Sequence, residues 1–357
     1  MKEGMENTVT NDGTLKRKRR LRYKGTHPRR FEEKYKELNP EKYADDIEKI
    51  MKSGKTPAGM HRPICVREIL QVLDPKPGQV GLDATLGFGG HAEVLLERIM
   101  PGGRLFGIDI DPIELTRAEA RLRASAFTEK ELILRQINFA GIPKILADSG
   151  NRFDFILADL GVSSMQLDNP ARGFTFKREG PLDLRFNPQR GQPASALINA
   201  VSEKALEKIL FVNSDEPYAK TIARAIHKNR YKISTTTALA DTVKEALACI
   251  ALAGPKEAIT TSIRRTFQAL RIEVNDEFSA LEQFLRNLPI CLKPKGRVAV
   301  LTFHSGEDKR VVKFFQEGLV AGIYSDICRQ PIRPTPQECY DNPRSKSAIL
   351  RWAIRAV

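Results

Sequence analysis

Residues 81–111, GLDATLGFGGHAEVLLERIMPGGRLFGIDID, constrain the fold of this chain more tightly than any other stretch. An apolar run ends at Asp83, and a turn with Gly87, Gly89 and Gly90 follows. An amphipathic run covers 92–99, and a second apolar run ends at Asp109. Strand, glycine turn, helix, strand is the order that builds a nucleotide-sized cradle in an open α/β sheet. Glycine lets backbone approach a ligand without a Cβ clash and takes positive φ at no steric cost. The helix start offers N–H groups that have no intrahelical partner. An acid at the tip of the second strand sits where a ribose diol is gripped, and Gly89 to Asp109 spans the expected twenty positions. The cradle does not by itself name its cofactor. Read as G-x-G-x-x-A, Gly87 to Ala92 also fits a nicotinamide or flavin fingerprint. Asp83, ahead of the glycines, favours S-adenosylmethionine (SAM), because it can receive a cationic amino end where a dinucleotide would place pyrophosphate.

The rest of the chain narrows the choice of partner. With 357 residues, 41% hydrophobic, it is long enough for one large or two ordinary domains with a real core. No apolar run reaches the roughly 18 residues of a membrane span. The N-terminus is polar and basic without an apolar signal segment, which points to the cytoplasm. The five cysteines (Cys65, Cys249, Cys291, Cys328, Cys339) are scattered and form no C-x-x-C pair, so free thiols and no metal site are expected. Net charge is +14. Residues 15–30, LKRKRRLRYKGTHPRR, hold nine Lys or Arg and no acid, and the remainder is still positive at 14 − 9 = +5. Such a balance points to a polyanion, nucleic acid first. The tail would supply salt-sensitive phosphate attraction that carries little sequence information. The bland alternative is a solvated tail that only aids solubility.

Strand-like runs recur at 80–84, 104–108, 132–137, 153–160 and 297–303, with helical stretches at 66–73, 92–99 and 113–124 between the early ones. That alternation predicts a mostly parallel sheet covered on both faces. It stops after Leu160. From about 166 to 261 the strand signal is weak, and helices are expected at 219–228 and 238–251. A long apolar-periodic run covers 266–288, and 348–354 reads as a late, added edge strand. A helical unit is therefore expected between the fourth and fifth strands. Residues 1–30 read as a disordered tail and 31–51 as a short helical extension.

The fourth strand runs into ADLGVSSMQLDNPARGFTFKREGPLDLRF, residues 158–186. In open α/β sheets ligands sit beyond the carboxyl ends of the strands, which sets Asp159 and the turn 161–164 beside the first-strand glycines. The loop beyond carries Arg172, Phe174, Phe176, Lys177, Arg178 and Arg185. Aromatics interleaved with cations suit stacking and phosphate contact with an unpaired base. A loop tucked onto its own core, with its phenylalanines buried, explains the same composition equally well.

Four blocks carry a resemblance that goes further: HRPICVREIL (61–70), DATLGFGGH (83–91), DLGVSSMQLDNPARGFTFKREGPLDLR (159–185) and FHSGEDKRVVKFF (303–315). RTFQALRIEVN (265–275) and NPRSKSAILR (342–351) follow in the same order. From about residue 61 to its C-terminus the chain resembles the bacterial 16S rRNA cytosine-N4 methyltransferase family, called RsmH or MraW. The resemblance implies a class I SAM-dependent methyltransferase fold, Rossmann-like with a mostly parallel sheet, and an inserted helical domain. The implied layout is a tail and extension over 1–58, a SAM-binding domain over 59–165 and 262–357, and a helical substrate-recognition domain over 166–261. Gly89, Gly90, His91, Asp109, Phe139, Asp159 and Gln166 are the implied cofactor contacts, beside Asp83. The implied substrate is one cytosine of the decoding centre, cytosine 1402 of 16S rRNA in the small ribosomal subunit. No membrane partner is expected, and a homodimer stays open. The chain departs from the family pattern at Gly306, where a leucine usually follows FHS, and at the shifted pair Lys309-Arg310.

Methylating a cytosine amine is a displacement at the SAM sulfonium in which positioning supplies much of the rate. Asp159, with Ser163 as a secondary choice, is the expected acceptor for the amine N–H groups. Phe174, Phe176, Arg172, Arg178 and His304 are the expected RNA contacts. His304, Ser305 and Asp308 lie too close in sequence for a hydrolase triad, and no G-x-S-x-G elbow occurs. Two other classes remain on residues alone: an RNA-binding ribosome-assembly factor with a vestigial SAM pocket, and an NAD-dependent dehydrogenase.

Overall fold

The computed structural model of the chain describes residues 63–125, 127–248 and 256–357. The expectations for the basic tail, the helical extension, His61 and Cys249 lie outside the described residues. Seven strands, β1 (Val80–Asp83), β2 (Arg104–Asp109), β3 (Leu132–Gln136), β4 (Phe153–Asp159), β5 (Leu292–Thr302), β6 (Tyr324–Ile327) and β7 (Ile349–Arg355), form one sheet in the order β3-β2-β1-β4-β5-β7-β6. The β3-β2-β1-β4-β5 pairings are parallel, and β7 runs antiparallel to both its neighbours. A dinucleotide-binding sheet keeps the order 3-2-1-4-5-6. The reversed β7, slotted between β5 and β6, gives instead the class I methyltransferase order. Residues 349–355 are therefore not the edge; the short β6 is.

The layers follow from period-two alternation along the strands. Leu82, Phe106, Ile108, Ile156, Ala158, Val298 and Val300 face one core. Leu105, Leu132, Phe155, Leu157, Ala299, Leu301 and Leu350 face the other. On the second face pack α1 (Val66–Leu73), α2 (Gly90–Ile99) and α3 (Pro112–Ala124). On the first pack α4 (Ile142–Ser149) and, later in the chain, two further helices. Gly81 is required by this packing, since a Cβ there would lie 2.1 Å from Cζ of the fully buried Phe155.

Between β4 and β5 come α5 (Ser164–Asp168), α6 (Ala194–Ala200), α7 (Glu203–Ser214), α8 (Ala219–Asn229), α9 (Thr236–Ala248), α10 (Lys256–Asn275) and α11 (Glu277–Cys291). Helices α6 to α10 share an apolar cluster of their own, including Ile198, Leu210, Ile222, Leu239 and Leu270. The periodic run 266–288 is two helices rather than one. Asp276, at φ 49°, takes the left-handed conformation between them, and α11 turns its Phe284, Leu285 and Leu288 onto the sheet. Helix α12 (Ser305–Val320) covers the same face through Val311 and Phe315, and α13 (Pro336–Asp341) precedes β7. No helix among the described residues is long and apolar enough to cross a membrane.

Candidate cofactor cleft and substrate face

The tips of β1, β2 and β4 converge on the glycine turn. Gly87 and Gly89 both take positive φ, 52° and 80°. A Cβ on Gly89 would lie 2.9 Å from Cδ1 of Leu122, so the turn rests directly on α3. Asp109 at the β2 tip holds that turn in place. Its Oδ2 accepts from the Gly87 N–H at 2.8 Å, and its Oδ1 from the Asp111 N–H at 2.8 Å. Gly90 opens α2, and His91 lies buried in its first turn. Asp159 at the β4 tip is tied to the β1 side through its N–H, which donates to Thr85 Oγ1 at 2.6 Å. One carboxylate oxygen of Asp159 lies 3.4 Å from His91 Nε2. The other is buried and has no hydrogen-bond partner among the described residues. An unpartnered buried acceptor costs about 1–3 kcal/mol unless a water or ligand satisfies it, which makes this oxygen a candidate binding position.

Three acids around this turn stand well above the usual carboxylate range. Burial pushes Asp83 up to about 7, raised further by Asp159 and Asp109, while His91 and the Thr85 N–H pull the other way. Burial likewise pushes Asp109 up to about 6 against the N–H groups of Asp111 and Gly87. Glu114 in α3 rises to about 7 through burial and the charge of Asp111. A group of buried acids that are costly to ionise is suited to a cationic ligand. Phe139, half-buried after β3, packs edge-on to Phe284 with ring centroids 5.4 Å apart.

The loop after β4 is anchored by a residue that sequence reasoning did not single out. Asp111, fully buried, caps α3 through the Ile113 and Glu114 N–H groups. Its other oxygen accepts from Gln166 Nε2 and from an Arg172 guanidinium nitrogen, each at 2.7 Å. The Asp-Pro pair at 111–112 is a recognisable helix start; the partner it would recruit is not visible in sequence. Gln166 also completes a capping box with Ser163, whose Oγ accepts from the Gln166 N–H. Gln166 and Arg172 thus hold the loop to the start of α3.

Arg172 and Phe174, expected to contact RNA, are instead buried. Arg172 Nη2 donates to the carbonyls of Arg185 and Phe186. Phe174 stacks on Phe186 with ring centroids 5.8 Å apart. A guanidinium so close to a buried carboxylate satisfies both charges, which is why an apparently basic loop turns inward. Phe176 is half-buried against Phe267, and Arg178 is exposed.

His304 follows β5 at the start of α12, with Nε2 3.2 Å from Glu307 Oε1. Burial opposes ionisation of Glu307, but His304 and the Phe303 N–H hold it below the usual range. The ring of His304 lies against Phe278, and the Arg310 guanidinium sits 3.6 Å over the other ring's centroid. A Cβ at Gly306 would lie 2.6 Å from Phe278 Cζ. Glycine at 306 thus leaves room for Phe278, and Arg310 covers that ring.

Comparisons with known proteins give the family. The chain is 52% identical over 342 residues to "Ribosomal RNA small subunit methyltransferase H 1" of Lachnoclostridium phytofermentans, covering 95% of this chain and 93% of that one. It is 52% identical over 344 residues to "Ribosomal RNA small subunit methyltransferase H 2" of Alkaliphilus metalliredigens, covering 96% and 98%. It is 37% identical over 312 residues to "Ribosomal RNA small subunit methyltransferase H" of Heliobacterium mobile, covering 82% and 98%. The model of the MraW methylase family matches residues 58–356, which takes in the glycine turn, the Asp159 loop and the His304 segment alike; the chain belongs to the MraW methylase family.

Proposed function

We propose that this protein transfers a methyl group from SAM to the N4 amine of a cytosine in small-subunit ribosomal RNA, cytosine 1402 being the target its family resemblance favours. The observation that carries the reading is the buried, unpartnered oxygen of Asp159 beside a glycine turn ringed by acids. The residues fit SAM. The Gly87–Gly90 turn leaves backbone open to a ligand, Asp109 stands where ribose hydroxyls would be gripped, and Phe139 offers a flat wall for adenine. Asp83 is placed for the cationic amino end. The names of the relatives supply the RNA.

When bound, SAM supplies an electrophilic methyl on a sulfonium. The chain's own part is to aim the nitrogen. The cytosine amine is a weak nucleophile because its lone pair is delocalised into the ring. Asp159 Oδ1, or the carbonyls of 160–163, accepts an amine N–H and localises that pair toward the methyl. Ser163 Oγ already accepts from the Gln166 N–H, so it can still donate to the base. The methylated amine loses its proton afterwards, and no strong general base is required. A target base must leave its stack to reach such a cleft. Phe176, Arg178 and His304 remain the RNA contacts on this side. The helical substrate unit, expected over 166–261, extends by its apolar cluster through Leu270 of α10. The protein acts in the cytoplasm, and a homodimer would double the basic surface offered to the subunit.

Asp159→Asn nearly preserves shape but removes charge and turns one acceptor into a donor. It should lower the single-turnover rate at saturating SAM by more than it weakens SAM binding. A normal rate there would make Asp159 a cofactor or scaffold residue only.

A further inference from the structure

Two segments of the helical unit, distant in sequence, are stitched into one exposed ledge. The Leu182 N–H donates to the Ser234 carbonyl and the Thr236 N–H to the Gly180 carbonyl, both at 2.9 Å. Thr236 Oγ1 donates to the Arg178 carbonyl at 2.9 Å, and Pro181 pairs with Thr235 as an isolated bridge. Ile233 and Thr236 are buried beneath and fix the ledge to the apolar cluster. The first segment carries Lys177 and Arg178 and the second is flanked by Lys228 and Lys232, all exposed, with Glu179 the acid next to Arg178 in sequence. None of the four pairs with an acid among the described residues. Between Lys228 and Lys232 in sequence, Tyr231 is 77% exposed, and the Arg230 guanidinium lies 4.5 Å from its ring centroid. Arg230 is held there by bonds from its two terminal nitrogens to the His227 carbonyl and the Tyr231 hydroxyl.

Tyr231 offers an exposed π-face backed by a hydrogen-bonded guanidinium, on a ledge whose two segments carry exposed cations. It matches what an unpaired nucleotide requires: a π-face to stack on and cations for the flanking phosphates. We propose that Tyr231 and Arg230 form a stacking platform for a single-stranded nucleotide of the RNA substrate, outside the cleft where methyl transfer occurs, with Lys177, Arg178, Lys228 and Lys232 tracking its backbone. The proposal rests on RNA being the substrate. The loop that carries Lys177 and Arg178 leaves the tip of β4 and contains the anchors of the cleft, so RNA held on the ledge is kept close to the reacting base.

The probe is a short, unstructured single-stranded RNA, titrated by fluorescence anisotropy against the full chain. Tyr231→Ala should weaken binding by about tenfold, the usual scale of one lost stacked base, while Tyr231→Phe keeps it. Lys177→Gln with Arg178→Gln should instead flatten the dependence of log K on log salt by about 0.7 per phosphate lost. SAM affinity and the melting temperature should not change in Tyr231→Ala, because the ring packs on solvent. Unchanged RNA affinity in Tyr231→Ala overturns the platform. So does an equal loss of binding to heparin, which offers charge without bases, or tighter binding to anionic lipid vesicles than to RNA. None of these titrations requires methyl transfer, so failure of the enzymatic reading, scored separately by methyl incorporation into small subunits, is distinguishable from failure of the platform.

Discussion

At the scale of single residues the cleft is governed by carboxyl groups that are costly to ionise. Asp83 rises to about 7 on burial, from an ordinary value near 4. A carboxyl whose pKa rises on folding is held protonated by the folded state. Its contribution to stability is full below about 4 and is lost as pH rises through about 7. Denaturant titrations without SAM should therefore show wild type losing more stability between about pH 5 and about pH 8 than Asp83→Asn does. SAM affinity should move the opposite way, strengthening as pH climbs through about 7, because a cationic ligand favours ionised Asp83. Identical pH profiles in the variant would remove Asp83 from the site. The places of Asp83, Asp109 and Asp159 at the strand tips were legible in sequence because each ends an apolar run near a glycine turn. Arg172 and Phe174 were not, because alternating cations and aromatics look the same whether the guanidinium meets phosphate or the buried Asp111.

At the scale of elements the parallel strands were legible from their apolar runs, and the helices beside them from amphipathic period. The short β6, with only Tyr324 and Ile327 buried, leaves too little pattern to read. The break at Asp276 hides in an unbroken apolar period, since a single left-handed residue changes direction without changing composition. The junction that matters most for the site is the one between the β4 loop and the start of α3. Arg172→Met would leave Asp111 buried without its cation, while Gln166 remains its amide partner. Breaking such a pair costs about 3–5 kcal/mol. The variant should melt earlier and bind SAM more weakly, while the double substitution Arg172→Met with Asp111→Asn should recover part of the stability. A single variant as stable as wild type would show that the pair does not hold the loop.

At the scale of the whole molecule, a candidate SAM cleft, a helical unit with a basic ledge and a strongly cationic N-terminal stretch point to one polyanionic substrate. Residues 15–30 should raise RNA affinity without choosing the base. Their deletion should flatten the dependence of log K on log salt while the same nucleotide is still methylated. An unchanged slope would make the tail a bystander, and a new target base would mean that it reads sequence. The central claim is tested most directly by incubating the purified protein with SAM and unmodified small subunits, then digesting the RNA to nucleosides for mass spectrometry. The prediction is N4-methylcytidine at a single position, dependent on SAM and lost or sharply reduced in Asp159→Asn. Intact SAM binding with no methylated nucleoside, or a methyl group on any atom other than the cytosine amine, would contradict it.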